Sequence, residues 1–364
     1  MTLGVTFGCY CPLHRGHLDL IYLAKKQCDR TLVLVCGSSF SVNDRGGGAI
    51  PLEQRFSIIK EFLEDDTLDV VLVDDAKIGI DDSCSDSNWS KWLSYVDHII
   101  NEYKSDYEIE KADTRWYFSE EDYIRHLGKF YGENLRYAML HKETPVSGTE
   151  CRENPIKYWN YITAPFHKYY CHNILVTGTA SEGKTTLVHD IGKYFSIPYS
   201  YEKARDLYVN KTDKLFTFRD FLYNITAQND YNDSLIASPW NPGCFISDSD
   251  NITTLLYAWA YTQKSGFSIL WDDYESLLSV AKHCQSSIRW DKIYLLKPSK
   301  LDIVDDGTRL MEDSSFSTRV VYYDKLVGLY HEFGYVFEQL EGRNFDYNFR
   351  RVKAHVENVL GEKQ

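Results

Sequence analysis

The octapeptide Gly178-Thr179-Ala180-Ser181-Glu182-Gly183-Lys184-Thr185 constrains this chain more than any other stretch. It fits G-x-x-x-x-G-K-[ST] and stands between an apolar strand, Asn173 to Thr177, and a helix through Leu187, Val188, Ile191 and Tyr194. Its glycines let the backbone wrap an anion closely, and the N-terminus of the following helix turns free N–H groups toward phosphate. The expected ATP-binding set is therefore Gly178, Thr179, Ala180, Ser181, Glu182, Gly183, Lys184, Thr185 and Thr186, with Lys184 on the outer phosphates and the Thr185 hydroxyl on Mg²⁺. Such a loop needs a buried strand before it and a helix after it, so it commits the chain to a parallel α/β sheet.

A second opening of the same build lies at the start of the chain. Leu3 to Phe7 reads as a strand, Gly8 to His17 as a polar loop, and Leu18, Ile21, Tyr22 and Ala24 as one face of a helix. Continuous apolar runs at Thr31 to Cys36, Asp69 to Val73, Cys244 to Ser247, Lys292 to Leu296 and Tyr335 to Leu340 read as further strands covered on both faces. Leu52 to Leu63 and Trp89 to Tyr103 read as helices between them. A length of 364 residues suits two domains. The junction is expected within the aromatic, proline-bearing segment Asn154 to His172, giving domains 1–165 and 166–364. Gly46-Gly47-Gly48 is expected to be a mobile loop.

A net charge of −13 argues against a surface that tracks a nucleic-acid backbone, and no apolar run reaches the ~18–20 residues of a membrane helix. Nine scattered cysteines, an odd number, fit free thiols in a reducing compartment. The chain is thus expected to be soluble and cytoplasmic, with no DNA partner and no membrane insertion, and with homo-oligomerisation left open.

After the strand Cys244 to Ser247, Asp248 is the expected metal-organising acid of the phosphate loop, together with Thr185. Asp250 reads either as a substrate ligand or as the cap of the helix that follows. Glu202 or Asp206 could accept a proton from an acceptor hydroxyl. Arg205, and Arg309 in a lid segment from Asp305, could neutralise charge on a transferring phosphoryl group. Surface ion pairing is the competing reading for these four.

In the first half, Gly8-x-Tyr10-x-Pro12-x-His14-x-Gly16-His17 puts two imidazoles at a strand-to-helix transition, where they and the backbone amides meet a triphosphate from one side. Val146-Ser147-Gly148-Thr149-Glu150-Cys151-Arg152 complements it, with Ser147 or Thr149 capping a helix and Arg152 aimed at phosphate oxygens. Paired, they make nucleotidyl transfer the leading chemistry: a phosphate oxygen attacks the α-phosphorus of ATP and pyrophosphate leaves. Gly8, Tyr10, His14, His17, Ser147, Thr149 and Arg152 form the expected ATP site, and His14, His17 and Arg152 the catalytic set.

Taken together, the two loops resemble the NadR-type bifunctional enzymes, in which nicotinamide mononucleotide adenylyltransferase is joined to ribosylnicotinamide kinase. Val146 to Pro155 resembles the second adenylyltransferase motif with its RENP continuation, and Trp89-Ser90-Lys91-Trp92 the W-x-x-W that lines the nicotinamide site. Ser119-Glu120-Glu121 resembles the stretch that the family has near its adenosine side. Glu202 to Asp206, Asp248 to Thr254 and Asp306 to Arg309 fall in order where the family has its substrate, Walker B and lid segments. Asn88 stands where the family usually has Gly, and Lys203-Ala204 replaces an aromatic-glycine pair.

The resemblance implies an N-terminal Rossmann-like nucleotidyltransferase domain followed by a P-loop kinase domain, both with parallel sheets. It further implies nicotinamide riboside, nicotinamide mononucleotide, NAD and ATP as ligands, with Mg²⁺. Trp89 and Trp92 would stack on the cationic ring, and Glu202, Arg205, Asp206 and Asp250 would contact the kinase acceptor. Longer family members carry an N-terminal helix-turn-helix domain, which is not expected here, where the first catalytic strand begins at Leu3. A phosphopantetheine adenylyltransferase joined to a dephospho-coenzyme A kinase, and a non-catalytic sensor of ATP and NAD, are the rival readings.

Overall fold

The computed structural model describes residues 1–38, 50–80, 85–140, 144–211, 215–263, 269–285, 288–301 and 315–361. Arg309 and its lid segment, and Gly46 to Gly48, lie outside them. The chain divides into two compact units, Met1–Tyr170 and Cys171–Gln364.

The first unit runs β1 (Thr2–Gly8), α1 (Arg15–Gln27), β2 (Arg30–Gly37), α2 (Leu52–Leu63), β3 (Leu68–Asp74), α3 (Asp86–Asp106), β4 (Asp113–Phe118), α4 (Asp122–Tyr131), β5 (Tyr137–Met139), α5 (Gly148–Glu153) and α6 (His167–Tyr170). Its sheet has the order β3-β2-β1-β4-β5 with every pair parallel. Leu3, Val5, Leu32 and Leu34 point to one face, where they pack against Trp92, Leu93 and Val96 of α3. Because successive connections leave β1 in opposite directions, the crevice beyond its carboxyl end is open to a ligand. Gly8 to His14 hangs over that crevice.

The second unit runs β6 (His172–Gly178), α7 (Lys184–Phe195), β7 (Tyr199–Ser200), α8 (Ala204–Asn210), α9 (Phe218–Ile236), β8 (Cys244–Ser247), α10 (Asn251–Thr262), α11 (Trp271–Gln285), β9 (Lys292–Lys297), α12 (Phe316–Glu332), β10 (Glu338–Glu341) and α13 (Phe345–Gly361). The order β10-β9-β6-β8-β7, again all parallel, puts β6 in the middle and the phosphate loop at its carboxyl end. Leu175 and Leu295 face the helical layer of α9 to α12, whereas Val176 and Leu296 face α7 and α13.

Three differences from the sequence reading have local causes. The segment 154–170 packs with the first unit: Thr163 N–H and Oγ1 both donate to Leu13 O, at 3.1 and 3.0 Å, and His167 stacks on Trp159 with ring centroids 4.0 Å apart. The division therefore falls at Tyr170/Cys171, inside the expected segment 154–172 but beyond the 165/166 boundary. The last strand begins at Glu338, because Tyr335 and Phe337 turn their rings onto Tyr330 instead of joining the ladder. Residues 218–236, to which the sequence reading assigns no element, form α9, opened by a capping box between Thr217 and Asp220.

Candidate functional site

In the phosphate loop, Gly178 and Gly183 have φ of +144° and +92°, and Ser181 has φ +65°. A Cβ at Gly178 would sit 2.6 Å from Leu296 O, and one at Gly183 2.6 Å from the Phe345 ring. Both positions therefore demand glycine on conformational and steric grounds. Lys184 Nζ donates to Thr179 O at 2.8 Å, so the ammonium is folded back over its own loop and poised above the helix N-terminus. Thr186 is exposed on α7.

Asp248 is buried at the carboxyl end of β8, where the Thr185 hydroxyl donates to its Oδ2 at 2.5 Å. Its Oδ1 is buried with no partner among the described residues. Burial pushes this carboxyl up to about 6, while Lys184 and the Thr185 hydroxyl pull it down. A hydroxyl beside a carboxylate with a spare oxygen is a donor set that suits a hard divalent cation. Arg205 links this pair to Glu202, with Nη2 3.3 Å from Thr185 Oγ1 and Nε 3.5 Å from Glu202 Oε2. Thus Lys184, Thr185, Asp248, Arg205 and Glu202 converge, although they come from three separate segments.

Other expected residues are placed differently. Asp206 is engaged by Lys203 Nζ at 2.5 Å and by Tyr201 OH at 2.9 Å, a local ion pair at the surface. Asp250 is the N-cap of α10: its Oδ1 accepts from Thr253 N–H, Thr253 Oγ1 and Tyr330 OH at 2.9–3.0 Å, so the capping alternative accounts for this oxygen. The Glu182 side chain is wholly buried beneath the loop, paired with Arg319 and accepting from Ser299 N–H at 2.9 Å. It supports the loop from below and leaves only its backbone for a phosphate.

Sequence reasoning missed the supports of this loop. Arg319 also donates to Leu301 O at 2.7 Å, and Arg343 Nε donates to Ser181 O at 2.7 Å. Both come from far along the chain and carry no motif. Gln228 was missed too. Its Oε1 accepts from Lys203 N–H at 2.9 Å and its Nε2 donates to Tyr201 O at 3.3 Å, clamping the peptide groups on either side of Glu202.

In the first unit the rings of His14 and His17 stack 3.7 Å apart, His14 N–H points at His17 Nδ1 at 3.4 Å, and Tyr10 packs edge-on against His17 at 4.9 Å. Tyr10 is buried, so it forms the wall behind the imidazoles rather than an open ligand surface. Ser147 caps α5 through a reciprocal bond with Glu150. Arg152 Nη2 donates to Thr149 Oγ1 at 2.9 Å and Nη1 to Cys11 O at 2.5 Å, which fastens the second motif to the histidine loop. Arg55, on α2, donates to Cys9 O and Ile50 O and was not foreseen. Two guanidinium groups therefore flank residues 9–11, a positively charged cradle inside a chain that is acidic overall.

The two tryptophans differ in role. Trp92 is buried, with Phe7 at 5.0 Å and Trp89 at 5.6 Å, and is a core residue. Trp89 is half-buried and stacks on His126 at 4.6 Å with an interplanar angle of 8°.

Fold and geometry together define a two-domain transferase, with a nucleotidyltransferase-type sheet followed by a phosphate-loop kinase-type sheet. Residues 5–154 match the cytidylyltransferase-like family, and residues 173–346 match the AAA domain family. The trifunctional NAD biosynthesis/regulator protein NadR of Escherichia coli strain K12 is 24% identical over 381 residues, which span 100% of this chain and 84% of that protein. Its counterpart in Salmonella typhimurium strain LT2 is 23% identical over 382 residues, spanning 99% and 84%. The crystal structure of a NadR protein in complex with NR superposes with a TM-score of 0.78 at 26% identity, over 99% of this chain and 96% of that one. A NadR complex with NAD and AMP-PNP gives 0.75 at 24% over the same shares. Along its whole length the chain is similar to NadR proteins, and it is an enzyme built of a nucleotidyltransferase domain and a kinase domain.

Proposed function

We propose that the second unit phosphorylates nicotinamide riboside at its 5′-hydroxyl, using ATP, and that the first unit transfers the adenylyl group of ATP to the resulting nicotinamide mononucleotide, giving NAD and pyrophosphate. The observation that carries this reading is the order of the two cradles in one chain, stacked histidines after β1 and a complete phosphate loop after β6, in a fold that is NadR-like over its full length.

In the kinase step Glu202 takes the proton of the acceptor hydroxyl as that oxygen attacks the γ-phosphorus and ADP leaves. Gln228 keeps Glu202 in place, and Lys184 and Arg205 neutralise the charge that builds on the phosphoryl oxygens. Thr185 and Asp248 would hold Mg²⁺, which would supply Lewis-acid stabilisation of phosphate charge. In the transfer step His14, His17 and Arg152 hold the triphosphate while a phosphate oxygen of the mononucleotide displaces pyrophosphate at the α-phosphorus. Trp89 offers the aromatic face for the nicotinamide ring.

Purified chain with ATP and Mg²⁺ is supplied in separate tubes with nicotinamide riboside or the mononucleotide, and products are separated by chromatography. NAD from both tubes is expected. NAD from the mononucleotide alone would refute the kinase assignment, and none from either would refute both.

A further inference from the structure

We propose that Asn224 reads the carboxamide of the kinase acceptor, and so makes the second unit prefer nicotinamide riboside over its carboxylate analogue, nicotinic acid riboside. The inference rests on the acceptor reading given above.

Along its buried face α9 carries Phe221, Asn224, Ile225, Gln228, Asn232 and Ile236. Three of these are amides, spaced one turn apart. Gln228 and Asn232 are satisfied, since Gln228 Nε2 donates to Asn232 Oδ1 at 3.1 Å and the Gln228 amide clamps the peptides around Glu202. Asn224 is 1% exposed, and both its Nδ2 and its Oδ1 lack a partner among the described residues. An amide buried with neither end bonded is costly, and native proteins keep such groups rarely. Hydrophobic packing alone would place Leu or Ile at this position.

The position of Asn224 supplies the reason. One turn toward the C-terminus is the clamp on Glu202, where the acceptor hydroxyl must lie. One turn toward the N-terminus is Phe221, whose ring lies 5.5 Å from Phe216 and 5.2 Å from Tyr261. A riboside that starts at Glu202 and runs along α9 extends its ring by about one helical turn, ~5.4 Å, and so brings it beside Asn224 with aromatic side chains beyond. A carboxamide offers one donor group and one acceptor, the complement of the Asn224 amide, so two hydrogen bonds form. A carboxylate offers acceptors only, and sets an oxygen against Asn224 Oδ1.

The test measures kinase kinetics of the full chain on both ribosides, for wild type, Asn224→Leu and Asn224→Ala, with adenylyl transfer from nicotinamide mononucleotide and thermal melting in parallel. Wild type is expected to favour nicotinamide riboside. Both variants should lose about 10- to 100-fold in kcat/KM on it, through KM, with little change on the carboxylate analogue. Adenylyl transfer should be unchanged. Asn224→Leu should melt at or above the wild-type temperature, because it removes a buried unpaired amide. A variant with wild-type KM and preference, or a fall of several degrees in melting for Asn224→Leu, overturns the inference alone. Wild type inactive on both ribosides overturns the acceptor reading and the inference with it.

Discussion

Replacing Arg319 by Met tests how the phosphate loop is held. In the native chain the Glu182 carboxylate is 0% exposed at its side chain and touches two donors, Arg319 and Ser299 N–H; Arg319 is itself 3% exposed. Removing the guanidinium leaves a carboxylate in the interior with one neutral hydrogen bond, a loss of about 3–5 kcal/mol. Against a total domain stability of ~5–15 kcal/mol this is severe but survivable. At 1.36 kcal/mol per tenfold it corresponds to roughly 200- to 5,000-fold faster hydrogen exchange for amides of β6 and α7 that open with the unit. Exchange measured by mass spectrometry on the full chain gives this number, and peptides from β1 and β2 serve as an internal control that should not move. Kinase turnover should fall with the loop, while adenylyl transfer persists. The double variant Glu182→Leu with Arg319→Leu removes both charges and should recover stability to within about 2 kcal/mol of wild type, since an apolar pair replaces an ion pair at little cost. A single variant that exchanges less than tenfold faster than wild type, or a double variant as damaged as the single one, would refute the account of the loop as resting on a buried ion pair.

Lys184→Ala should abolish riboside phosphorylation and leave adenylyl transfer within about twofold, and His17→Ala should do the reverse; chromatographic product assays on each substrate decide it. Gln228→Leu frees both peptides that flank Glu202, and should lower kinase kcat by about 10- to 100-fold with ATP KM unchanged, while Gln228→Glu, which keeps the acceptor for Lys203 N–H, should recover part of that loss. Gly183→Ala forces a side chain into φ +92° and against Phe345, costing about 1–3 kcal/mol, and adding Phe345→Ala should relieve only the steric part in a melting experiment.

Both cradles were legible in the sequence because each is local. The spacing Gly178 to Thr185, and Gly8 to His17, encodes a strand end, a tight backbone and a helix start within a few residues, so no distant contact is needed to see them. The buried strands β1, β2, β3, β6, β8 and β9 were equally plain, since a parallel sheet covered on both faces writes itself as continuous apolar runs. By contrast β4, β5 and β7 escaped notice. Arg115 breaks the apolar run of β4, and β7 is only Tyr199–Ser200, too short for any period to show.

What the sequence determined by itself was the class of each half and the two loops at the carboxyl ends of β1 and β6. Only the tertiary structure decided which acids face the loop and which serve the fold. Asp248 and Asp250 are alike in sequence, yet one meets Thr185 and the other caps α10 beneath Tyr330. Glu182 sits inside the motif but points into the core toward Arg319, and Gln228 and Arg55 gain their roles from peptides 25 and 46 residues away. The physical reason is that a phosphate cradle is made of backbone, which short-range spacing specifies. The partner of a side chain is set by how helices pack on a sheet, and that depends on the whole chain.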